Sequence, residues 1–348
     1  MIDWASIQQE LGSVTKCFEA AKNQIKDYDH GLHQCERVSL NENEISTLYQ
    51  YKPPNGAKGE SVLIVYSWVN HATILDFSET CSLIQSLNQL GLTVYLLDWK
   101  LPQPDSATLS DYLYQQIAGS VKHIQQLDGL KSHLIGVCQG GNFALSYAGA
   151  TQAKDIASLS LLMAPIDANS SLSLLNQYGT AKLPASIISN VIPGELIQTF
   201  FNMLSPVKQI YGRSFAAVMS HSTEHFLKID GWLNQTAHLS APLVSTYNQI
   251  FFQENVMMQK SPEIAGVRID LDRIEVPILN CMARYDRLVV PDSSKALLSL
   301  VSDKYYHELF VEGGHLAIFT EEKAQETFIA HFQKYALNSS LKGDPVSV

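Results

Sequence analysis

The sequence predicts an α/β fold: a mainly parallel sheet covered by helices on both faces and interrupted by a mainly helical insertion. Three observations predict it. Short apolar runs of strand length recur at 61–67, 92–98, 132–137, 158–163, 277–283 and 307–311. Helical periods lie between them at 74–90, 109–127, 141–150 and 320–336. The alternation stops near Ala164 and resumes near Ile274. Strands that alternate with helices build parallel sheets, and strands buried on both faces read as unbroken apolar runs.

Taken in order, residues 4–28 read as an amphipathic helix, with Ile7, Leu11, Val14, Phe18, Ala21 and Ile25 on one side. The first core strand, SVLIVYS, follows. The helix expected at 74–90 carries Leu75, Cys81, Leu83, Ile84, Leu87 and Leu90 and stops at Gly91, a residue suited to a helix C-terminus. The helix at 109–127 is spaced by Leu113, Ile117, Val121, Ile124 and Leu127. The roughly 110 residues after Ala164 keep helical periods but add Asn/Ser/Pro turns and apolar side chains such as Phe200, Phe201, Phe215, Phe226, Trp232, Phe251 and Phe252. They are expected to form a cap over the carboxyl ends of the strands. The domain division is therefore 1–165 for the first part of the core, 166–270 for the cap and 271–348 for the second part of the core.

Composition bounds the function. The chain has 348 residues, 46% hydrophobic and 17% charged, with a formal net charge of -10. That charge disfavours nucleic acid, which asks for a basic face. The five cysteines, Cys17, Cys35, Cys81, Cys138 and Cys281, are scattered and make no CxxC pair or metal-ligand pattern. No disulfide framework, metal site or cofactor is expected, and a reducing, cytoplasmic compartment fits. The N-terminus MIDWASIQQELG lacks the apolar core of a signal peptide, and no apolar run is long enough to span a bilayer.

The sharpest local signal is SHLIGVCQGGNFALSYA. Gly136, Cys138 and Gly140 form G-x-C-x-G between an apolar strand and a helix start. That is the nucleophile elbow of α/β-hydrolases with Cys in place of Ser. Glycines on either side let strand and helix approach closely, and the helix N-terminus favours a thiolate. Cys138 is the candidate nucleophile. The backbone N–H of Gln139 is placed to bind an oxyanion. The loop after the first core strand, Tyr66 to Ala72, is where this fold draws its second oxyanion N–H, and Val69 is the candidate by position.

The fold orders its catalytic groups nucleophile, acid, histidine. His315 follows the strand HELFV through Gly313 and Gly314, so its ring can turn inward. His221, His225 and His238 fall in the cap, His307 starts a strand and His331 lies on the last helix. For the acid, Asp286 follows the strand PILNCMA and precedes a helix, at a strand carboxyl end. Asp167, after LLMAPI, is its rival; Asp98 precedes the nucleophile and reads as structural.

With these residues assembled, the chain resembles the catalytic subunit of polyhydroxyalkanoate synthases, particularly the short class III and class IV type. GVCQGG at 136–141 is similar to that family's lipase-like box. VLIVYSWVN (62–70), VYLLDWKLP (94–102), LSDYL (109–113), LLMAPIDA (161–168), FNMLSP (201–206), RYDRLVVPDSSKAL (284–297) and GGH (313–315) resemble its core blocks, in order along most of the chain. The resemblance implies an acyltransferase that polymerises (R)-3-hydroxyacyl-CoA, of short chain such as 3-hydroxybutyryl-CoA, and releases CoA. Cys138 would carry the polyester as a thioester and His315 would deprotonate it. Asp286 would activate the incoming 3-hydroxyl through the same imidazole. It further implies a second, non-catalytic subunit of the PhaE or PhaR kind, a homodimer, and a place at cytoplasmic polyester granules. Three positions depart from the family pattern: Arg287 in place of His after the acid, Thr236-Ala237 in place of an acidic Pro-containing turn, and His71 in place of Arg. A thioesterase or polyester depolymerase on the same fold, and a non-catalytic granule protein, are the alternatives.

Overall fold

The computed structural model describes residues 35–57, 59–170, 190–204 and 222–338. The helix expected at 4–28, Cys17 and Phe215 lie outside them, as do the side chains of Phe200, Phe201 and Phe226.

The strands are β1 (Val38–Glu42), β2 (Ser46–Tyr51), β3 (Ser61–Val65), β4 (Thr93–Trp99), β5 (His133–Val137), β6 (Ser158–Leu162), β7 (Ile278–Ala283) and β8 (Tyr306–Val311). They form one sheet in the order β1-β2-β4-β3-β5-β6-β7-β8. From β4 to β8 every pairing is parallel; β2 runs antiparallel to both of its neighbours. The apolar runs fall where the sequence places them, each within a residue or two. β3, β5 and β6 are buried at every position because both faces are covered. Side chains alternate between two cores: Leu63 and Val65 pack on one face, Val62 and Ile64 on the other.

The β1–β2 hairpin is absent from the sequence reading. Its turn carries a local signal: the Asn43 carboxamide oxygen accepts the N–H groups of Ile45 (2.8 Å) and Ser46 (2.9 Å), an Asn turn between the two strands.

The main helices are α1 (Leu83–Gln89), α2 (Gln116–Asp128), α3 (Gln139–Thr151), α4 (Gly194–Leu204), α5 (Ser222–Asn234), α6 (Ala241–Asn248) and α7 (Glu322–His331). The helix expected over 74–90 is shorter. Residues Ala72–Leu75 form one 3-10 turn, and α1 starts only after Ser82, whose hydroxyl accepts the Gln85 N–H at 3.0 Å. A serine that caps the helix from outside has won over apolar spacing that runs on past it.

Between β6 and β7 the described residues hold α4, α5, α6 and two short ladders, Val191–Ile192 with Leu239–Ser240 and Glu263–Ile264 with Val267–Arg268. This segment reaches over the loop that follows β3. The Trp232 indole N–H donates to the His71 carbonyl at 2.8 Å, and the Asn70 carboxamide donates to the Trp232 carbonyl at 3.3 Å. The chain leaves β3 for β4 on one side and returns to β5 on the other. The loops after β3 and β5 therefore diverge, and a crevice opens at their carboxyl ends.

Candidate active site

Cys138 follows β5 immediately and stands at the N-terminus of α3. Its backbone has φ 52 and ψ -120, a sparsely populated conformation for a non-glycine residue. The turn is held from both sides: the Cys138 N–H donates to the Leu162 carbonyl and the Gly141 N–H to the Cys138 carbonyl, each at 2.8 Å. A side chain at position 136 would put its Cβ 2.6 Å from the Gly141 Cα. One at 140 would collide with the carbonyl oxygen of Val65, the last residue of β3. The Gly pattern in the sequence thus has a steric cause: strand, elbow and neighbouring strand touch backbone to backbone.

Asp286 lies just beyond β7 and is 4% exposed. One carboxylate oxygen accepts the N–H groups of Leu288 (2.8 Å) and Val289 (2.9 Å). The other lies 2.6 Å from His315 Nδ1. His315 is delivered by the loop after β8, which the Tyr285 N–H ties to the acid loop through the Gly313 carbonyl at 2.9 Å. Burial by itself pushes the His315 imidazole towards neutrality. The electrostatic pull of Asp286 first and Cys138 second outweighs it, and the hydrogen bond to Asp286 adds to it, so its pKa stands well above the ordinary value. Cys138, His315 and Asp286, the three residues the sequence singles out, therefore come from the ends of three different strands, β5, β8 and β7.

The rival acid does other work. One Asp167 carboxylate oxygen accepts the Asn255 carboxamide N–H at 2.8 Å and the Asn169 N–H at 2.9 Å, which fixes the start of the segment after β6. Of the remaining thiols, burial pushes Cys35 up to about 11 and Cys81 up to about 12, and raises Cys281 as well. None of these has the setting of a nucleophile.

The oxyanion loop holds a finding that position alone did not give. The Gln139 side chain reaches back across the crevice. Its carboxamide oxygen accepts the Ser67 hydroxyl at 3.2 Å and the Trp68 N–H at 3.3 Å. The Ser67 hydroxyl oxygen accepts the Val69 N–H at 3.1 Å. The Val69 N–H that the sequence assigned to the oxyanion thus has an acceptor within its own loop. The backbone N–H of Gln139 stays at the α3 N-terminus beside Cys138, where four N–H groups of a helix have no partner within it. Among the described residues, no group of three or more His, Cys, Asp and Glu side chains could hold a metal ion.

The sequence profile of the family described as alpha/beta hydrolase fold matches residues 61–322. The poly(3-hydroxyalkanoate) polymerase subunit PhaC of Allochromatium vinosum is 33% identical over 293 residues, covering 80% of this chain and 82% of that one. The chain belongs to the PhaC family. The PhaC subunit of Synechocystis sp. is 31% identical over 290 residues, 78% of this chain and 76% of its own. Solved structures show the same fold at lower identity. Est1E of Butyrivibrio proteoclasticus with ferulic acid superposes with a TM-score of 0.53 at 14% identity, covering 88% of this chain and all of its own. The monoacylglycerol lipase of Paleococcus ferrophilus superposes at 0.51 and 17%, covering 84% and 98%. No helix among the described residues is long and apolar enough to cross a membrane.

Proposed function

We propose that this PhaC-family chain polymerises (R)-3-hydroxyacyl-CoA, of short chain such as 3-hydroxybutyryl-CoA, through a thioester on Cys138. The observation that carries the reading is a cysteine at a strained elbow, whose charge acts on the imidazole of a histidine that a buried carboxylate holds. His315 takes the Cys138 proton. The sulfur attacks the acyl carbonyl, an S–C bond forms, and the oxyanion is met by the Gln139 N–H. Collapse breaks the bond to the CoA sulfur, which leaves with the proton from His315. The 3-hydroxyl of a hydroxyacyl unit then gives its proton to His315 and attacks the thioester; the C–S bond to Cys138 breaks, the sulfur takes the proton back from His315, and the chain grows by one ester bond. No cofactor enters this scheme; CoA is the product.

An acyl-enzyme survives only if water is kept away. The segment 166–270, anchored on the oxyanion loop by Trp232, is suited to act as the cap that excludes it. The same reading extends to a second PhaE- or PhaR-like subunit, a homodimer and the surface of a cytoplasmic granule. The experiment incubates the purified chain, alone and with a co-expressed partner, with (R)-3-hydroxybutyryl-CoA, and follows thioester loss and product. Polymer with CoA release is expected, and Cys138→Ala should abolish both. Free 3-hydroxy acid in equal amount to CoA, with no polymer, would make the chain a hydrolase instead. Undiminished turnover by Cys138→Ala would remove the thioester mechanism.

A further inference from the structure

The acyl-transfer chemistry needs a second oxyanion donor, and the loop after β3 has used up the N–H groups one would look to. Trp68 donates to Gln139 and Val69 to Ser67. What the loop leaves unused is a side chain. Tyr66 is the first residue after β3, and its backbone carbonyl lies against the elbow: a Cβ at position 140 would sit 2.7 Å from it. The carbonyl is held from behind by the Trp99 indole N–H at 2.7 Å, so the residue is anchored. Its side chain lies on the face of the sheet that carries Val62, Ile64, Val137 and Cys138. The residue is 5% exposed, yet among the described residues its hydroxyl has no hydrogen-bond partner and is not sealed off as an enclosed, unpaired oxygen. A second buried tyrosine, Tyr247, also feels the charge of Cys138, but its hydroxyl is committed to the Asn142 carboxamide oxygen at 3.2 Å.

We infer that the Tyr66 hydroxyl is the second donor to the acyl oxyanion, opposite the backbone N–H of Gln139. The inference rests on the acyl-transfer reading of the site. Burial first, and the charge of Cys138 second, hold the phenol far on its protonated side, so it is a donor at every working pH. A phenol is a sound choice here. It donates one hydrogen bond, stays neutral, and stands directly after the strand end, with its backbone carbonyl held by the Trp99 indole N–H. In the transfer step, the carbonyl oxygen gains the electron pair of its π bond as the Cys138 S–C bond forms. Tyr66 shares its proton with that oxygen without giving it up. When the C–S bond to CoA breaks, the pair returns to the carbonyl and the hydrogen bond weakens.

The test uses the full chain and Tyr66→Phe, which keeps the ring and removes one oxygen. Acylation of Cys138 is read as the burst of nitrophenolate from p-nitrophenyl butyrate, and in parallel as CoA release from (R)-3-hydroxybutyryl-CoA. Alkylation of Cys138 by iodoacetamide serves as the comparison, because that displacement passes through no oxyanion. Acylation should slow by roughly 100-fold or more, while alkylation stays within about twofold. Acylation within about threefold of the unaltered chain overturns the inference. So does a parallel fall in alkylation, which would mean that Tyr66 tunes the sulfur instead. 3,5-Difluorotyrosine at position 66 gives a second reading that no loss of packing can mimic. Its more acidic phenol should cut off acylation at alkaline pH, and an unchanged pH profile counts against the donor role. A nitrophenolate burst without any CoA release would refute the polymerase reading while leaving the role of Tyr66 to be judged from the burst.

Discussion

His315 Nδ1 and Asp286 Oδ2 lie 2.6 Å apart, and the second oxygen of Asp286 is closed off by two backbone N–H groups. This carboxylate has one side chain to serve. A carboxylate can only accept, so it calls for the tautomer with the proton on Nδ1 and leaves Nε2 for Cys138 in the proposed mechanism.

Removing that charge should therefore act through the base. In Asp286→Asn the raised pKa of His315 should fall, as followed by NMR titration of its ring protons. Acylation should drop by roughly 10³- to 10⁴-fold, the loss expected when an imidazole is held in the wrong tautomer. A His315 titration identical to that of the unaltered chain would mean that the neighbouring acid does not set it.

The same shift predicts a stability signature. Because the folded pKa of His315 is raised, its stabilisation is fully present below about pH 6.5, the ordinary histidine value, and is lost as pH rises through the folded value. Chemical unfolding of the unaltered chain against His315→Gln should show a gap that is largest on the acid side and narrows as the pH rises into that range. A gap that widens with pH would contradict the sign.

Gly140→Ala tests the steric reading of the elbow. The new Cβ would run into the Val65 carbonyl and meet that of Tyr66 at 2.7 Å, both backbone atoms that cannot swing aside. Overpacking of this kind costs about 1–3 kcal/mol. Thermal unfolding should fall accordingly, and turnover should fall further than stability does, because β3 and the elbow are forced apart at the oxyanion site. Wild-type turnover in a folded variant would show that the close approach is dispensable.

Asp167→Asn separates the two acids. Its carboxylate holds Asn255 and the Asn169 N–H rather than His315, so CoA release should stay within a few-fold and the His315 titration should not move. A loss as deep as that of Asp286→Asn would restore Asp167 as the acid.

Trp232→Phe addresses the cap. It deletes the indole N–H that reaches the His71 carbonyl and leaves that oxygen without this donor. The expected cost is about 1–3 kcal/mol. The product should shift from polymer towards free 3-hydroxy acid as water gains the acyl-enzyme. An unchanged ratio of acid to polymer would mean that water is excluded by something else.

The strands, their parallel pairing and the strand–turn–helix around Cys138 were legible in the sequence, because each is written locally. An apolar run reports burial on both faces, a glycine two residues before and two after the nucleophile reports backbone crowding, and strand ends mark where chemistry gathers. What was not legible depended on side chains meeting from distant positions. The N–H at Val69 could be placed on the right loop, but whether it was free depended on Ser67 and on Gln139, 72 residues beyond Ser67. The sequence preferred Asp286 to Asp167 from its place at a strand end, but that His315 pairs with it depended on the loop after β8 lying beside the loop after β7. The hydroxyl of Tyr66 gave no signal in an apolar run, where a tyrosine reads as one more buried ring. The sequence by itself determined the scaffold and the strand–turn–helix setting of Cys138. Only the tertiary structure decided which donors remain free for the substrate, since a hydrogen bond is satisfied by whatever lies within about 3 Å of it, however far along the chain that partner is.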